Sequence, residues 1–286
     1  MKKDITLVLS GGGARGIAHI GVIEELLKMN VNIASISGTS MGALIGGIYA
    51  VGKLEEFKQW MLKVNRTKIF KLIDFSFSTQ GLVKGERIFN EIKPFITDAN
   101  IEDLPIKYTA TAFDIVNGRE VVFDKGSLFN AIRASISIPT IFTPLTIGDS
   151  VFIDGGVVNN IPINTAKRVQ NDIVIAVNVN AGVTDDIVYF SELEQLSKQN
   201  ENTTKSIYRI NKNINYFFLV NNSLVTMTNH ISNLILEKNP PDVLVEIPRN
   251  IAGIFEFYNA KSIINSGKEY FANSIPEIES KIRNVL

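Results

Sequence analysis

The chain is expected to fold as an α/β protein around a mostly parallel sheet, and three observations predict this. Asp4–Ser10 is a continuous, β-branched apolar run of the kind buried on both faces of a parallel sheet. A glycine-rich loop, a helix, a second short strand, a sharp turn and another helix follow it, which is a right-handed βαβ unit. Two more buried runs, Asp172–Val179 and Asp242–Ile247, supply further strands late in the chain.

The elements follow in order. Ile17–Met29 is expected to be helical, with Ile20, Ile23, Leu26 and Leu27 on one face. The strand carrying Ile33 and Ile36 ends in Gly38-Thr39-Ser40-Met41-Gly42, and a helix through Leu44 and Ile48 follows. Lys53–Val64 and Glu86–Phe95 read as helices, separated by an aromatic- and serine-rich loop, Phe70–Gly85, that would line a cleft. Ile106–Phe113 and Glu120–Phe123 flank Asn117-Gly118, a strong hairpin signal. Ser127 is placed to cap a helix ending near Ser135, and Pro139 and Pro144 impose an extended path after it. Val151–Ile153 is a short strand running into Asp154-Gly155-Gly156, and Pro162 is expected to open a helix to Val169.

Residues 190–238 contain neither proline nor glycine. Ile207, Ile210, Ile214, Phe217 and Phe218 fall at helical spacing, and so do Leu224, Met227, Ile231, Leu234 and Ile235. One or two long amphipathic helices are expected there, with the apolar stripe packed on the sheet. A lipid-facing or partner-facing stripe is the alternative. Pro240-Pro241 ends this region, and helices near Glu256–Ala272 and Pro276–Val285 close the chain. With no repeat and no flexible linker, residues 1–286 are expected to form one domain.

Composition narrows the function. The 286 residues are 45% apolar, with 29 basic and 29 acidic side chains, so no global positive field recruits nucleic acid. The absence of cysteine excludes disulfides and thiolate metal sites. The apolar run Ile5–Leu9 is too short for a secretory signal, and no run reaches membrane-spanning length. A cytoplasmic protein is expected, with peripheral contact to a membrane surface left open.

The chemistry centres on Gly38-Thr39-Ser40-Met41-Gly42. A serine between a strand and a helix in a Gly-x-Ser-x-Gly turn has its hydroxyl raised at the top of the sheet, beside the positive N-terminus of the following helix. Gly11-Gly12-Gly13-Ala14-Arg15-Gly16 matches the dinucleotide pattern Gly-x-Gly-x-x-Gly, but no acid ends the second strand to hold a ribose, and no Gly-Lys-Ser/Thr follows. The loop is better read as an oxyanion hole built from backbone N–H groups, with Arg15 fixing the loop or neutralising a lipid phosphate. The only histidines, His19 and His230, both lie within expected helices. Asp154, at the end of an apolar strand, is the better base if burial raises its pKa.

These three motifs, in this order, resemble the patatin-like phospholipase family. Arg133-Ala134-Ser135-Ile136-Ser137-Ile138-Pro139 and the stretch from Asp154 to Pro162 are also similar to it. The resemblance covers residues 5–180 well and is weak over 181–240. It implies a three-layer α/β/α sandwich and a Ser–Asp dyad without histidine. Ser40 is then the nucleophile and Asp154 the base, flanked by Gly155 and Gly156. The elbow residues are Gly38, Thr39, Met41 and Gly42, and the 11–16 loop is the oxyanion hole. It further implies hydrolysis of lipid acyl esters through an acyl-enzyme, without metal or cofactor. A low-turnover lipid- or partner-binding module, an acyltransferase and a nucleotide-binding protein are the competing readings. Lipid identity, acyl position and oligomeric state are not legible in the sequence.

Overall fold

The computed structural model describes residues 2–72, 85–96, 99–139, 141–182 and 216–284. Strand β1 (Asp4–Leu9) leads through a 3-10 turn at Gly13–Ile17 into α1 (Ala18–Lys28). β2 (Asn32–Thr39) and α2 (Met41–Ala50) complete the βαβ unit with its following helix. Helices α3 (Leu54–Leu62), α4 (Arg66–Leu72) and α5 (Glu86–Ile96) come next, then the hairpin β3 (Lys107–Asp114) and β4 (Arg119–Phe123). Helix α6 (Leu128–Ser135) precedes β5 (Leu145–Ile147), β6 (Ser150–Asp154) and β7 (Ile173–Ala181). The chain closes with α7 (Tyr216–Lys238), β8 (Val243–Pro248), α8 (Ala260–Ala272) and α9 (Ile275–Asn284).

The strands form one sheet along the hydrogen-bonded path β5-β6-β3-β2-β1-β7-β8, with β4 also paired to β3. β1 is parallel to β2 and β7, β2 is parallel to β3, and β7 is parallel to β8. β4, β5 and β6 pair antiparallel. The sheet is therefore mostly parallel, as expected.

β1 shows why helices must cover both faces. Successive strand side chains point to opposite sides. Ile5, Leu7 and Leu9 enter the larger core with Ile20 and Ile23 of α1, Ile45 of α2 and Ile263 of α8. Val8 joins Ile161, Val174 and Ala176 on the other side, where Leu236 of α7 packs. Helices thus cover both sides of the sheet, in three layers.

Several expectations hold locally. Ser127 caps α6, its Oγ accepting the Asn130 N–H at 3.2 Å. The hairpin turns through Gly118 in the left-handed region (φ 62°), where a residue without Cβ is unstrained. Others need correction. Leu27 is exposed, because Ile20, Ile23 and Leu26 already fill the buried face of α1. Only a 3-10 turn, Ile163–Thr165, follows Pro162, and the chain turns extended at Ala166. There the Asp172 carboxylate competes with helix formation by accepting the Val169 N–H (3.1 Å) and pairing with Arg168 (2.7 Å).

In α7 the packed face is only partly the expected stripe. Ser232 is buried and Leu236 reaches the core, whereas Leu224, Met227 and Leu234 are exposed. Ile231 and Ile235 of the expected stripe are half-buried beside Ser232 and Leu236, so apolar spacing marked the packed face only in part. The expected helical pattern at Ile207, Ile210 and Ile214, and most of the Phe70–Gly85 loop, lie outside the described residues. Among the described residues no helix is long and apolar enough to cross a membrane.

Helix α2 lies directly against β1. A Cβ on Gly42 would collide with the Leu9 carbonyl. Gly42→Ala is expected to cost about 3 kcal/mol through overpacking. Urea denaturation monitored by circular dichroism checks this, and a wild-type midpoint would mean that α2 and β1 can separate at no cost.

Candidate active site

Ser40 sits alone between β2 and α2. Its backbone is in a positive-φ conformation (φ 55°, ψ −123°) that side-chain-bearing residues rarely adopt. Such a conformation costs on the order of 1–3 kcal/mol and persists only where the surroundings hold it. They do so here. The Ser40 N–H donates to Ser135 Oγ at 2.8 Å, and Ser135 Oγ–H donates to the Thr111 carbonyl at 2.6 Å. Thr39 Oγ1 donates to the Asn159 carbonyl at 2.8 Å. A Cβ on Gly38 would strike the Ala43 backbone, so the tight turn requires glycine there. α2 begins at Met41, and the positive end of its dipole faces the serine.

The register of β3 brings Asp154 to this turn. β4 pairs with Ala110–Asp114 along one edge of β3. β2 and β6 both overlap that stretch, so they must share the other edge end to end. Thr39 of β2 opposes Thr111, and Asp154 of β6 opposes the next residue, Ala112. Ser40, one residue beyond Thr39, therefore meets Asp154, and its side chain favours the ionised Asp154 carboxylate.

Asp154 is almost fully buried, and burial raises its pKa to about 6. The nearby Ser40 side chain and the hydrogen bond from the Gly156 N–H (2.7 Å) favour the ionised form but only partly offset desolvation. The carboxylate thus titrates close to neutrality, where a proton acceptor works best.

The glycine loop packs against Ser40, where a Cβ on Gly11 would come within 3.0 Å of the Ser40 Cβ. The N–H of Gly11 donates to the Asn160 carbonyl (3.1 Å), and that of Ala14 donates to the Ile254 carbonyl (2.8 Å). These two amides are already engaged, which narrows the expected donor set. No described hydrogen bond uses the N–H of Gly12 or Gly13. Arg15 and Gly16 fall within the 3-10 turn, where Gly16 backs onto the Met41 side chain and Arg15 Nη2 donates to Asn180 Oδ1 (2.6 Å).

Neither histidine is placed to be a base. His19 is fully buried behind the loop, its Nε2–H donating to the Ser10 carbonyl at 2.8 Å, and burial lowers its pKa to about 4. It holds the loop as a neutral ring. His230 is exposed on α7.

Two residues of the site were not singled out from sequence. Ser135 anchors the Ser40 amide, and the side-chain oxygen of Asn160 fills the space that a Cβ on Gly11 or Gly156 would need. Asn160 is thereby wedged between the loop and the Asp154 turn. Its place within Asp154–Pro162, and that of Ser135 before Ile136-Ser137-Ile138-Pro139, were the only signals available.

An apolar cavity of about 340 Å³ opens at Ser40. Met41, Leu44, Phe57, Trp60, Ile92 and Phe142 are among the side chains that line it. Among the described residues, no group of three or more His, Asp or Glu side chains is arranged to hold a metal ion.

Fold and site together define an α/β protein with a strained serine beside a buried aspartate. The sequence profile described as "Patatin-like phospholipase" matches residues 7–167, and the chain belongs to that family. It is 40% identical to an NTE family protein of Mycobacterium tuberculosis, Rv1063c, over 62% of this chain and 49% of that one. It is 32% identical to Lysophospholipase NTE1 of Yarrowia lipolytica, over 68% of this chain and 14% of that one. The chain thus spans about half the length of the mycobacterial relative and a smaller part of the yeast one. A solved structure, that of VipD from Legionella pneumophila, covers 95% of this chain and is itself covered over 67%, with a TM-score of 0.45 and 12% identity.

The raised pKa of Asp154 has a definite sign in stability. Between its unfolded value near 3.8 and about 6, the folded protein holds a proton that the unfolded chain has lost. This group's contribution therefore falls as pH rises through that window. Above it, the buried carboxylate opposes folding by about 3 kcal/mol. Asp154→Asn is expected to match the wild type near pH 4 and to exceed it in chemical-denaturation stability by roughly this amount at pH 8. The His19 contribution is common to both proteins and cancels. Equal stability at both pH values would mean that Asp154 titrates normally.

Proposed function

We propose that this chain is a serine lipid acyl hydrolase of the phospholipase A or esterase type. The observation that carries the reading is a strained Ser40 that faces an apolar cavity and has the buried, pKa-raised Asp154 beside it. Family membership supports hydrolysis of a lipid, and the yeast relative's name supports a lysophospholipid among the substrates.

The Asp154 carboxylate takes the Ser40 hydroxyl proton as Oγ attacks the ester carbonyl carbon. The carbonyl oxygen becomes an oxyanion beside the N–H groups of Gly12 and Gly13, which have no hydrogen-bond partner among the described residues, and the N-terminus of α2. A single such donor is typically worth about 3 kcal/mol in the transition state. Collapse breaks the carbon–oxygen bond, and the departing alkoxide takes the proton back from Asp154. A water then attacks the acyl-serine and gives its proton to Asp154, and the fatty acid leaves as Ser40 recovers its hydroxyl. The acyl chain lies in the apolar cavity.

Ser40→Ala and Asp154→Asn are each expected to lower turnover roughly 10⁴-fold or more while the protein remains folded. A fluorophosphonate probe, mapped by mass spectrometry, should label Ser40 alone. No adduct on folded protein would overturn the hydrolase reading and favour a lipid-binding module.

In the wild type, kcat/KM should rise with pH through about 6 and then level off, as Asp154 ionises. It should also rise with acyl length from acetyl esters, by up to about fourfold per methylene, until the cavity is filled. A flat acyl-length profile would remove the cavity from the acyl site.

A further inference from the structure

The glycine loop continues β1, and β7 goes on holding it where the regular ladder stops. The last paired residues of the two strands are Leu9 and Val177. One residue on, the Ser10 N–H donates to the Val177 carbonyl (3.1 Å), and Ser10 Oγ accepts the Val179 N–H (3.0 Å). Asn180 makes the next contact with its side chain, Nδ2 donating to the Gly11 carbonyl at 2.6 Å. Side chains thus extend the β1–β7 ladder by one peptide into the loop.

That last contact decides where the following amide points. A trans peptide carries its C=O and its N–H on opposite sides, and the described residues contain no cis peptide. The Gly11 carbonyl faces Asn180 on the β7 side, so the Gly12 N–H of the same peptide faces away from β7. β1 lies between β7 and β2 in the sheet, and Ser40 follows β2. The Gly12 N–H is therefore turned to the side of the loop that packs against Ser40.

Arg15 fixes which end of the Asn180 carboxamide does this. Turning a carboxamide over exchanges its donor for its acceptor with almost no change of shape. A guanidinium only donates, and Arg15 Nη2 bonds Asn180 Oδ1 at 2.6 Å. Nδ2 is then left for the Gly11 carbonyl, which only accepts. The opposite orientation would set donor against donor and acceptor against acceptor. The Asn180 backbone is tied as well, its N–H donating to Asn178 Oδ1 at 3.0 Å. Arg15 lies within residues 7–167, but Asn180 lies outside them, on β7.

We propose that Asn180, oriented by Arg15, is a positioning residue that aims the Gly12 N–H at the oxyanion formed when Ser40 attacks. This role rests on the hydrolase reading, because Asn180 acts only if Ser40 does.

The test uses the full chain, p-nitrophenyl octanoate as substrate, and the variants Asn180→Asp and Asn180→Ala. Asn180→Asp keeps the shape and the contact with Arg15 but sets an acceptor against the Gly11 carbonyl. Complete loss of one oxyanion donor typically lowers kcat about 10²–10³-fold. A misaimed donor is expected to lower kcat about tenfold or more in both variants, with KM within about twofold of wild type, which is the pattern of a contact made only in the transition state. Turnover is counted per Ser40 labelled at completion by a fluorophosphonate, so a misfolded fraction cannot imitate the effect. Arg15→Gln is expected to lower kcat in the wild-type background, and by less than about twofold when added to Asn180→Ala, because it acts through Asn180.

A kcat per labelled site within about twofold of wild type in both Asn180 variants overturns the positioning role, and so does a loss carried by KM alone. An Arg15→Gln loss of equal size in both backgrounds overturns the link through Asn180. With labelling and turnover intact in the wild type, these outcomes leave the hydrolase reading standing. A wild type that neither labels at Ser40 nor turns over overturns that reading, and the positioning role with it.

Discussion

The site depends on the sharing of one edge of β3. β2 and β6 lie end to end along that edge, because the hairpin partner β4 occupies the other. Thr39 and Asp154 therefore oppose consecutive β3 residues, Thr111 and Ala112. Two residues more than a hundred positions apart in sequence meet through a register that the hydrogen-bond ladder imposes. A one-residue slip of β6 would turn Asp154 to the other face of the sheet. The carbonyl of Thr111 holds Ser135, and Ser135 holds the Ser40 amide, so the same strand also secures the turn.

That arrangement opposes stability in two places. Ser40 occupies a conformation that few residues adopt, and Asp154 carries a carboxylate out of water. Both are surrounded by a core that can absorb the cost. β1 is buried along its length, and its alternating side chains feed apolar layers on both faces of the sheet. The close approach of α2 to β1 at Gly42 lets the helix N-terminus sit over the serine instead of standing off by a side chain's width. Rigid elements rather than loops thus carry Ser40 and Asp154.

The glycine loop separates two environments. On the Ser40 side the walls are aromatic and aliphatic, while on the Arg15 side they are basic and amide-rich. Ile254 stands between them, and its carbonyl accepts the Ala14 N–H, so the partition is built into the loop itself. The exposed apolar residues of α7, Leu224, Met227 and Leu234, are not part of either chamber.

Local chemistry was legible in the sequence because it is written in short windows. The β-branched run of β1, the Asn117-Gly118 turn, the cap at Ser127 and the Gly-x-Ser-x-Gly elbow each depend on a few adjacent residues. Periodicity was less reliable. It marked Leu27 and the Leu224–Met227–Leu234 stripe as packed, because spacing says which residues share a face but not what that face meets. The same limit hid Ser135, Asn160 and the hold of Asn180 on Arg15, whose partners lie far along the chain. The sequence by itself determined the elements, the strained serine and a candidate aspartate, since these follow from backbone sterics and side-chain type. Only the tertiary structure decided that Asp154 reaches Ser40, that its pKa rises, and that the Gly11 and Ala14 amides are taken up by the Asn160 and Ile254 carbonyls. Register, burial and hydrogen-bond competition are properties of the assembled sheet.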